Sequence, residues 1–286
     1  MSYFILFWST VFSAASSIVG GMYNQHAGKR QGTALLYSLM ICAAATFGWG
    51  FFFLIEPDFS VKALPYALIF GGCYAIVQIF LIQALQNGPV ALSSLILHFS
   101  LIITVVWGFF FWGSEFSPRV VIGLVLICLA SYLCVYQKDP GERPSLKWGV
   151  CIVVALLANS GCSISQRAEQ VAFDGKYGSM MMFFALSFAT VICAIVFLCS
   201  RREPLGEVAK KNWIYPIGGG WMNVLLNYCV IWLATSNLSP NLIYPAISVG
   251  GLVLNILASI FLFHEKINRR QAIGFVIGGI AVVLLS

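Results

Sequence analysis

Charge is what this chain has least of. Asp, Glu, Lys and Arg make up 9% of its 286 residues, where an ordinary soluble domain carries roughly 25%. A water-surfaced enzyme is therefore excluded. Local catalytic patterns are also missing: there is no Gly-x-Ser-x-Gly, no His-Glu-x-x-His and no intramembrane Asp pair, so neither an activated nucleophile nor an acid–base pair is in view. The nine cysteines all fall in apolar stretches, are odd in number and never adopt C-x-x-C spacing, which argues against a disulfide framework or a zinc site. No enzyme activity, metal or cofactor is expected. Met1–Thr10 lacks a basic n-region, so the first apolar run reads as a mature helix and not as a cleaved signal.

What is present is hydrophobic length. Hydrophobic residues make up 60% of the chain, and the mean hydropathy is +0.90. The charges cluster between ten uncharged runs: Tyr3–Met22, Thr33–Ile55, Pro65–Leu85, Val90–Trp112, Val120–Tyr136, Trp148–Gln166, Gly178–Cys199, Trp213–Thr235, Pro240–Phe263 and Gln271–Ser286. Each is close to the ~20 residues that span a bilayer core as a helix. Between them lie turn formers such as Glu56-Pro57-Asp58, Asn87-Gly88-Pro89, Lys138-Asp139-Pro140-Gly141-Glu142 and Ser239-Pro240. The runs are continuous rather than alternating, which rules against β-barrel strands, and hydrocarbon forces each backbone group to bond within its own segment. The expected fold is an all-α integral membrane protein with ten transmembrane helices.

The net charge of +6 does not point to nucleic acid, because the basic residues are spread over the gaps. Of the sixteen Lys and Arg, all but Lys62, Arg119, Arg167 and Lys176 fall in odd-numbered gaps. By the positive-inside rule those gaps face the cytoplasm and both termini face outside.

An internal repeat carries more information than any local motif. Residues 1–136 and 148–286 each hold five runs, joined by a loop at 137–147, and five is odd, so the second copy must lie inverted in the membrane. Gly32-Thr33-Ala34-Leu35-Leu36 overlays Gly178-Ser179-Met180-Met181-Met182, which carries Ser13 onto Asn159 and Ser17 onto Ser163. Glu115 to Gly123 parallels Glu265 to Gly274, with one inserted residue.

With two five-helix halves, each closing on an acid, a short polar turn and a glycine-containing hydrophobic helix, the chain resembles the drug/metabolite transporter superfamily with paired EamA-type repeats. The most specific segment is His264-Glu265-Lys266 through Ile273-Gly274-Phe275-Val276-Ile277-Gly278-Gly279-Ile280, and Trp8 suits the family's early tryptophan. The resemblance spans essentially the whole chain. It implies a multi-pass transporter of the cell membrane, inner or plasma, working by alternating access around a central cavity formed by spans one, three, four, six, eight and nine.

Polar residues within spans turn away from lipid, so they mark that cavity. Tyr74 and Gln78 lie at i, i+4, as do Asn223 and Asn227, and an offset of 149 maps one pair onto the other. Uncharged amides and a phenol suit a neutral or zwitterionic solute; interhelical hydrogen bonding is the alternative use. Asn159, Tyr244 and Ser248 join the candidate lining, with Ser94 and Asn255 beside them. The serines and glycine of the first span, Ser9 to Gly20, read as close-packing positions.

All ten acids are assigned to gaps or span ends, so no carboxylate is expected at the midplane and carboxylate-driven antiport is disfavoured. His98 is then the one Asp, Glu, Lys, Arg or His placed within a span, either exchanging protons or serving as a neutral hydrogen-bonding group. The expected function is transport, as an exporter, of a small neutral or zwitterionic metabolite, with an amino acid first. A multidrug or nucleoside carrier of the same fold is the alternative, and a channel-like or structural membrane protein the different class. The expected partners are the solute, the lipid and, through His98, protons, with the chain working as a monomer or homodimer.

Overall fold

The computed structural model describes residues 1–28, 30–88, 93, 96–97, 99–112, 118–135, 145–200, 205–234, 236, 238, 240–263 and 269–285. Among these the regular structure is all helical, without strands. The helices are α1 (Ser2–Ala27), α2 (Gln31–Ile55), α3 (Leu64–Asn87), α4 (Ser100–Phe111), α5 (Pro118–Val135), α6 (Leu146–Phe173), α7 (Gly178–Ser200), the short α8 (Gly206–Asn212), α9 (Ile214–Ala234), α10 (Pro240–Phe263) and α11 (Arg269–Leu285). The stretches Ser2–Ala27, Gln31–Ile55, Val61–Asn87, Leu146–Phe173 and Gly178–Ser200 are long and apolar enough to cross a membrane.

The ends follow local chemistry. Helix α1 stops at Gly28, whose φ of 80° suits glycine. Thr33 then caps the start of α2, its hydroxyl accepting the Arg30 backbone N–H at 3.3 Å, with the Arg30 and Gly28 carbonyls, at 2.7 and 2.8 Å, as the acceptors in reach of its own hydrogen. At the start of α6 the Ser145 hydroxyl accepts the Trp148 backbone N–H at 3.1 Å, an N-cap. Helix α6 ends where Asp174 turns left-handed at φ 53° and Gly175 follows at φ 72°.

That end point corrects the sequence reading. Polar residues from Gln166 onward look like a gap by hydropathy, yet Ala168, Glu169, Gln170, Val171 and Ala172 contain no helix breaker, so the helix continues to Phe173. Glu169 consequently lies inside a span, buried, and not in a connecting turn.

Large apolar side chains point outward: Phe47, Leu54 and Phe110 are 74%, 79% and 80% exposed. Small ones stand at the helix contacts, with Ala34, Ala45, Ala67, Ala75, Ala155, Ala185 and Ala189 fully buried beside larger core residues such as Trp49, Met182 and Leu186. The outward apolar side chains and the buried alanines match helices packed by close approach within lipid. Hydroxyls bridge several contacts, Ser38 donating to the Gln78 carbonyl at 3.0 Å, Ser165 to the Tyr66 carbonyl at 2.8 Å, and Thr46 meeting Thr190 at 2.9 Å.

The packing pairs have a pattern. Helix α3 lies on α6 as α1 lies on α9; α3 packs on α7 as α9 packs on α2; α4 meets α6 as α10 meets α1; α2 pairs with α7 and α5 with α11. Glycines mark two of these crossings at an offset of 149 residues. A Cβ on Gly71 would collide with the Ala185 carbonyl of α7, and one on Gly220 would sit 2.7 Å from Ala44 Cβ and 2.9 Å from the Ile41 carbonyl of α2. Gly71→Val is therefore expected to lower stability by about 1–3 kcal/mol or abolish the folded peak. Gly72→Ala, which meets only Phe188 at 3.9 Å, should leave it intact; thermal melts followed by size-exclusion chromatography make the comparison, and equal melts for the two would contradict the crossing.

Candidate solute cavity

Where α1, α3, α6, α9 and α10 converge with the start of α4, the helices leave a cavity of about 250 Å³. This is just under the ~300–1,000 Å³ of small-molecule sites, so it suits a solute of monosaccharide or amino-acid size.

The lining is set by helical periodicity. From α6 come Asn159, Cys162, Ser163 and Gln166, and from α9 Asn223, Leu226, Asn227 and Val230, both at i, i+3, i+4, i+7, which is one helix face. Helix α3 contributes Phe70, Tyr74, Val77, Gln78, Leu81 and Leu85, α1 contributes Ser13, Ser16 and Ser17, and α10 contributes Ile247 and Ser248. An offset of 146 carries Ser13, Ser16 and Ser17 onto Asn159, Cys162 and Ser163. An offset of 149 carries Tyr74, Val77, Gln78 and Leu81 onto Asn223, Leu226, Asn227 and Val230. Positions matched by the sequence repeat thus face one cavity.

Of the residues singled out from sequence, the structure brings Tyr74, Gln78, Asn159, Asn223, Asn227 and Ser248 together on this wall. Tyr244 falls in α10, but its side chain lies outside the described residues, as do His98 and Ser94 entirely. Asn255 is on α10 away from the cavity, with neither amide atom partnered. Sequence reasoning misses six polar lining residues: Ser13, Ser16 and Ser17, read from sequence as close-packing positions of the first span, and Ser100, Ser163 and Gln166. Gln166 stands seven residues after Asn159 on the same face, a spacing that could have found it; Ser100 carries no signal beyond its place in the fourth run.

The polar groups differ in what they have left to offer. The Asn159 amide donates to Ser100 Oγ at 2.7 Å, joining α6 to α4. The Asn227 amide donates to the Asn223 side-chain oxygen at 3.1 Å and its carbonyl at 2.9 Å, which fixes both amides along α9. Tyr74 and Gln166, 6% and 7% exposed, are unlike these: Tyr74 Oη and Gln166 Nε2 have no hydrogen-bond partner. A buried polar atom left unpaired is expensive, and here both belong to residues lining a cavity that a hydrogen-bonding solute can fill. No charged side chain lines the wall among the described residues. Apolar surface alternates with the polar groups, including Phe70 stacked on Tyr74 at 6.0 Å and 15°.

The two uses of these residues separate by experiment. Asn159→Ala removes an interhelical bond and should lower the melting temperature, by about 1 kcal/mol in stability. Tyr74→Phe removes an unpartnered hydroxyl and should leave the melt unchanged or raised while weakening solute binding; a destabilised Tyr74→Phe protein would show that the hydroxyl is structural.

Residues 4–286 match the family described as sugar transport protein. The glucose uptake protein GlcU of Bacillus subtilis (strain 168) is 23% identical over 97% of this chain and 92% of its own. A second relative, named "Probable glucose uptake protein GlcU", from Priestia megaterium, is 23% identical over 98% of this chain and 93% of its own. A solved crystal structure superposes on 96% of this chain and 95% of its own with a TM-score of 0.65 at 14% identity, a likeness of fold.

Proposed function

This chain belongs to the sugar transport protein family, within the drug/metabolite transporter-like group of membrane proteins, and on that premise we propose that it carries a monosaccharide across the cell membrane by alternating access. It is a multi-pass membrane transporter and not an enzyme. The solute is a neutral polyol of glucose size, and the direction is uptake.

The observation that carries this reading is the uncharged wall. A zwitterionic amino acid would bring an ammonium and a carboxylate into a space with no countercharge among the described residues, and buried charges need partners. A hexose asks only for donors and acceptors around its rim and apolar surface for its faces. Tyr74, Gln78, Gln166, Asn223 and Asn227 supply the former, and Phe70, Leu81 and Val230 the latter. The amino acid expected from sequence is therefore replaced by a sugar, and the relatives' names support the same choice.

The mechanism rests on ten spans arranged as two inverted five-helix repeats, 1–136 and 148–286. Support comes from the main packing pairs between the halves, which keep their pattern when the halves are exchanged, and from the two offsets that relate the cavity walls. Two equivalent half-sites facing each other have two equivalent ways to open, one to each side of the bilayer. Rocking of one repeat against the other then exposes the same residues alternately, and a single chain suffices because both halves of the wall are its own.

The test is counterflow of labelled D-glucose in liposomes holding the purified protein. Saturable, trans-stimulated exchange is expected, with L-glucose excluded. Gln78→Ala and Asn223→Ala should each raise KM about tenfold, the equivalent of ~1.4 kcal/mol, with melts close to wild type. Counterflow of leucine or uridine in place of glucose would overturn the substrate, and flux without saturation or trans-stimulation would overturn the carrier.

A further inference from the structure

Beyond the cavity, the polar face of α6 continues. Glu169 is one turn past Gln166, about 4.5 Å further along the axis, and is 1% exposed. Its Oε1 has no hydrogen-bond partner, and neither amide atom of the neighbouring Gln170, 8% exposed, has one either. The Tyr177 backbone amide faces the carboxylate from the turn leading to α7. Three successive buried polar side chains, each with an unmet bond, make a track from the cavity to the end of the helix.

Among the described residues, no countercharge meets the acid. Of the elements packed on α6, α3 presents Tyr66, whose ring meets Phe173 at 6.0 Å, with Cys73 and Tyr74 further in; α4 brings no titratable side chain from Ser100 to Phe111. Arg167 on α6 itself and Asp174, Lys176 and Tyr177 in the following turn are the remaining candidates, and none forms an ion pair with Glu169 among the described residues. A carboxylate buried among spanning helices without a cationic partner is a proton or ion site. A proton fits better than a metal ion, since no group of three His, Cys, Asp or Glu gathers there among the described residues.

We propose that Glu169 is the proton-binding residue that couples solute movement to a proton gradient. The carboxylate takes up one proton on the side of higher proton concentration and releases it on the other. Gln166, whose Nε2 has no partner, lies between it and the cavity and links occupancy of the two sites. The coupled proton is thus assigned to α6; His98 lies outside the described residues.

The proposal rests on the sugar-transport reading above, and its test keeps the two apart. Proteoliposomes holding the full chain are assayed for D-glucose accumulation under an inward proton gradient, with membrane potential clamped, and for D-glucose counterflow without a gradient. Infrared difference spectra of the same protein on a pH jump report carboxyl protonation without any solute. Glu169→Gln, which mimics the protonated acid, is expected to lose gradient-driven accumulation about tenfold or more, to keep counterflow, and to lose one carboxyl band. Glu169→Asp should recover part of the coupling. Gradient-driven accumulation that survives in Glu169→Gln, wild-type accumulation that ignores the proton gradient, or accumulation driven by a sodium gradient instead would each overturn it. Absent counterflow in wild type would overturn the sugar reading alone; the proton site would then stand or fall with the infrared band.

Discussion

Hydrocarbon makes no hydrogen bonds, and most of this structure follows from that. Backbone amides and carbonyls must pair inside their own helix, so the described chain is helix joined by short turns. The same solvent removes the usual reason for a greasy interior, because Phe47, Leu54 and Phe110 are as comfortable against lipid as in a core. Helices then associate through close approach and polar contacts. Alanines and glycines occupy the crossings, and serine and threonine hydroxyls tie neighbouring helices together.

A polar side chain inside a span has only two places to go: a partner on another helix, or a cavity. Asn159 has found the first in Ser100 while still lining the second, and Tyr74, also on the cavity wall, keeps its hydroxyl buried beside the Gln78 side chain. The cavity is therefore a consequence of sequence composition as well as of shape. Its placement between the halves gives it a wall from each, related by offsets of 146 and 149 residues. Membership of the sugar transport protein family accords with an uncharged, amphipathic lining of this size.

Much of this architecture is legible in the order of the amino acids. Scarcity of charge outlines the runs, and each of the ten overlaps a helix; the pairing of Tyr74 with Asn223 and of Gln78 with Asn227 follows from the repeat. Gln166 and Glu169 are harder, because hydropathy and helicity part company there: Arg167 and Glu169 lower the hydropathy while the backbone meets no breaker before Asp174 and Gly175. The solute class reads too broadly for a related reason. Amides and hydroxyls in a sequence serve a zwitterion as readily as a sugar, and only their convergence on a wall without charge separates the two.

The central claim is that the wall shared by the two halves is where the solute binds, and Cys162 offers a direct probe, since it lines the cavity on the same face as Asn159 and Gln166. With the other eight cysteines replaced, the rate at which a small thiol reagent modifies Cys162 is measured in proteoliposomes with and without sugar. The account requires D-glucose to slow the reaction in a saturable manner and L-glucose to leave it unchanged. A rate indifferent to saturating D-glucose, in protein that still exchanges it, would place the solute elsewhere.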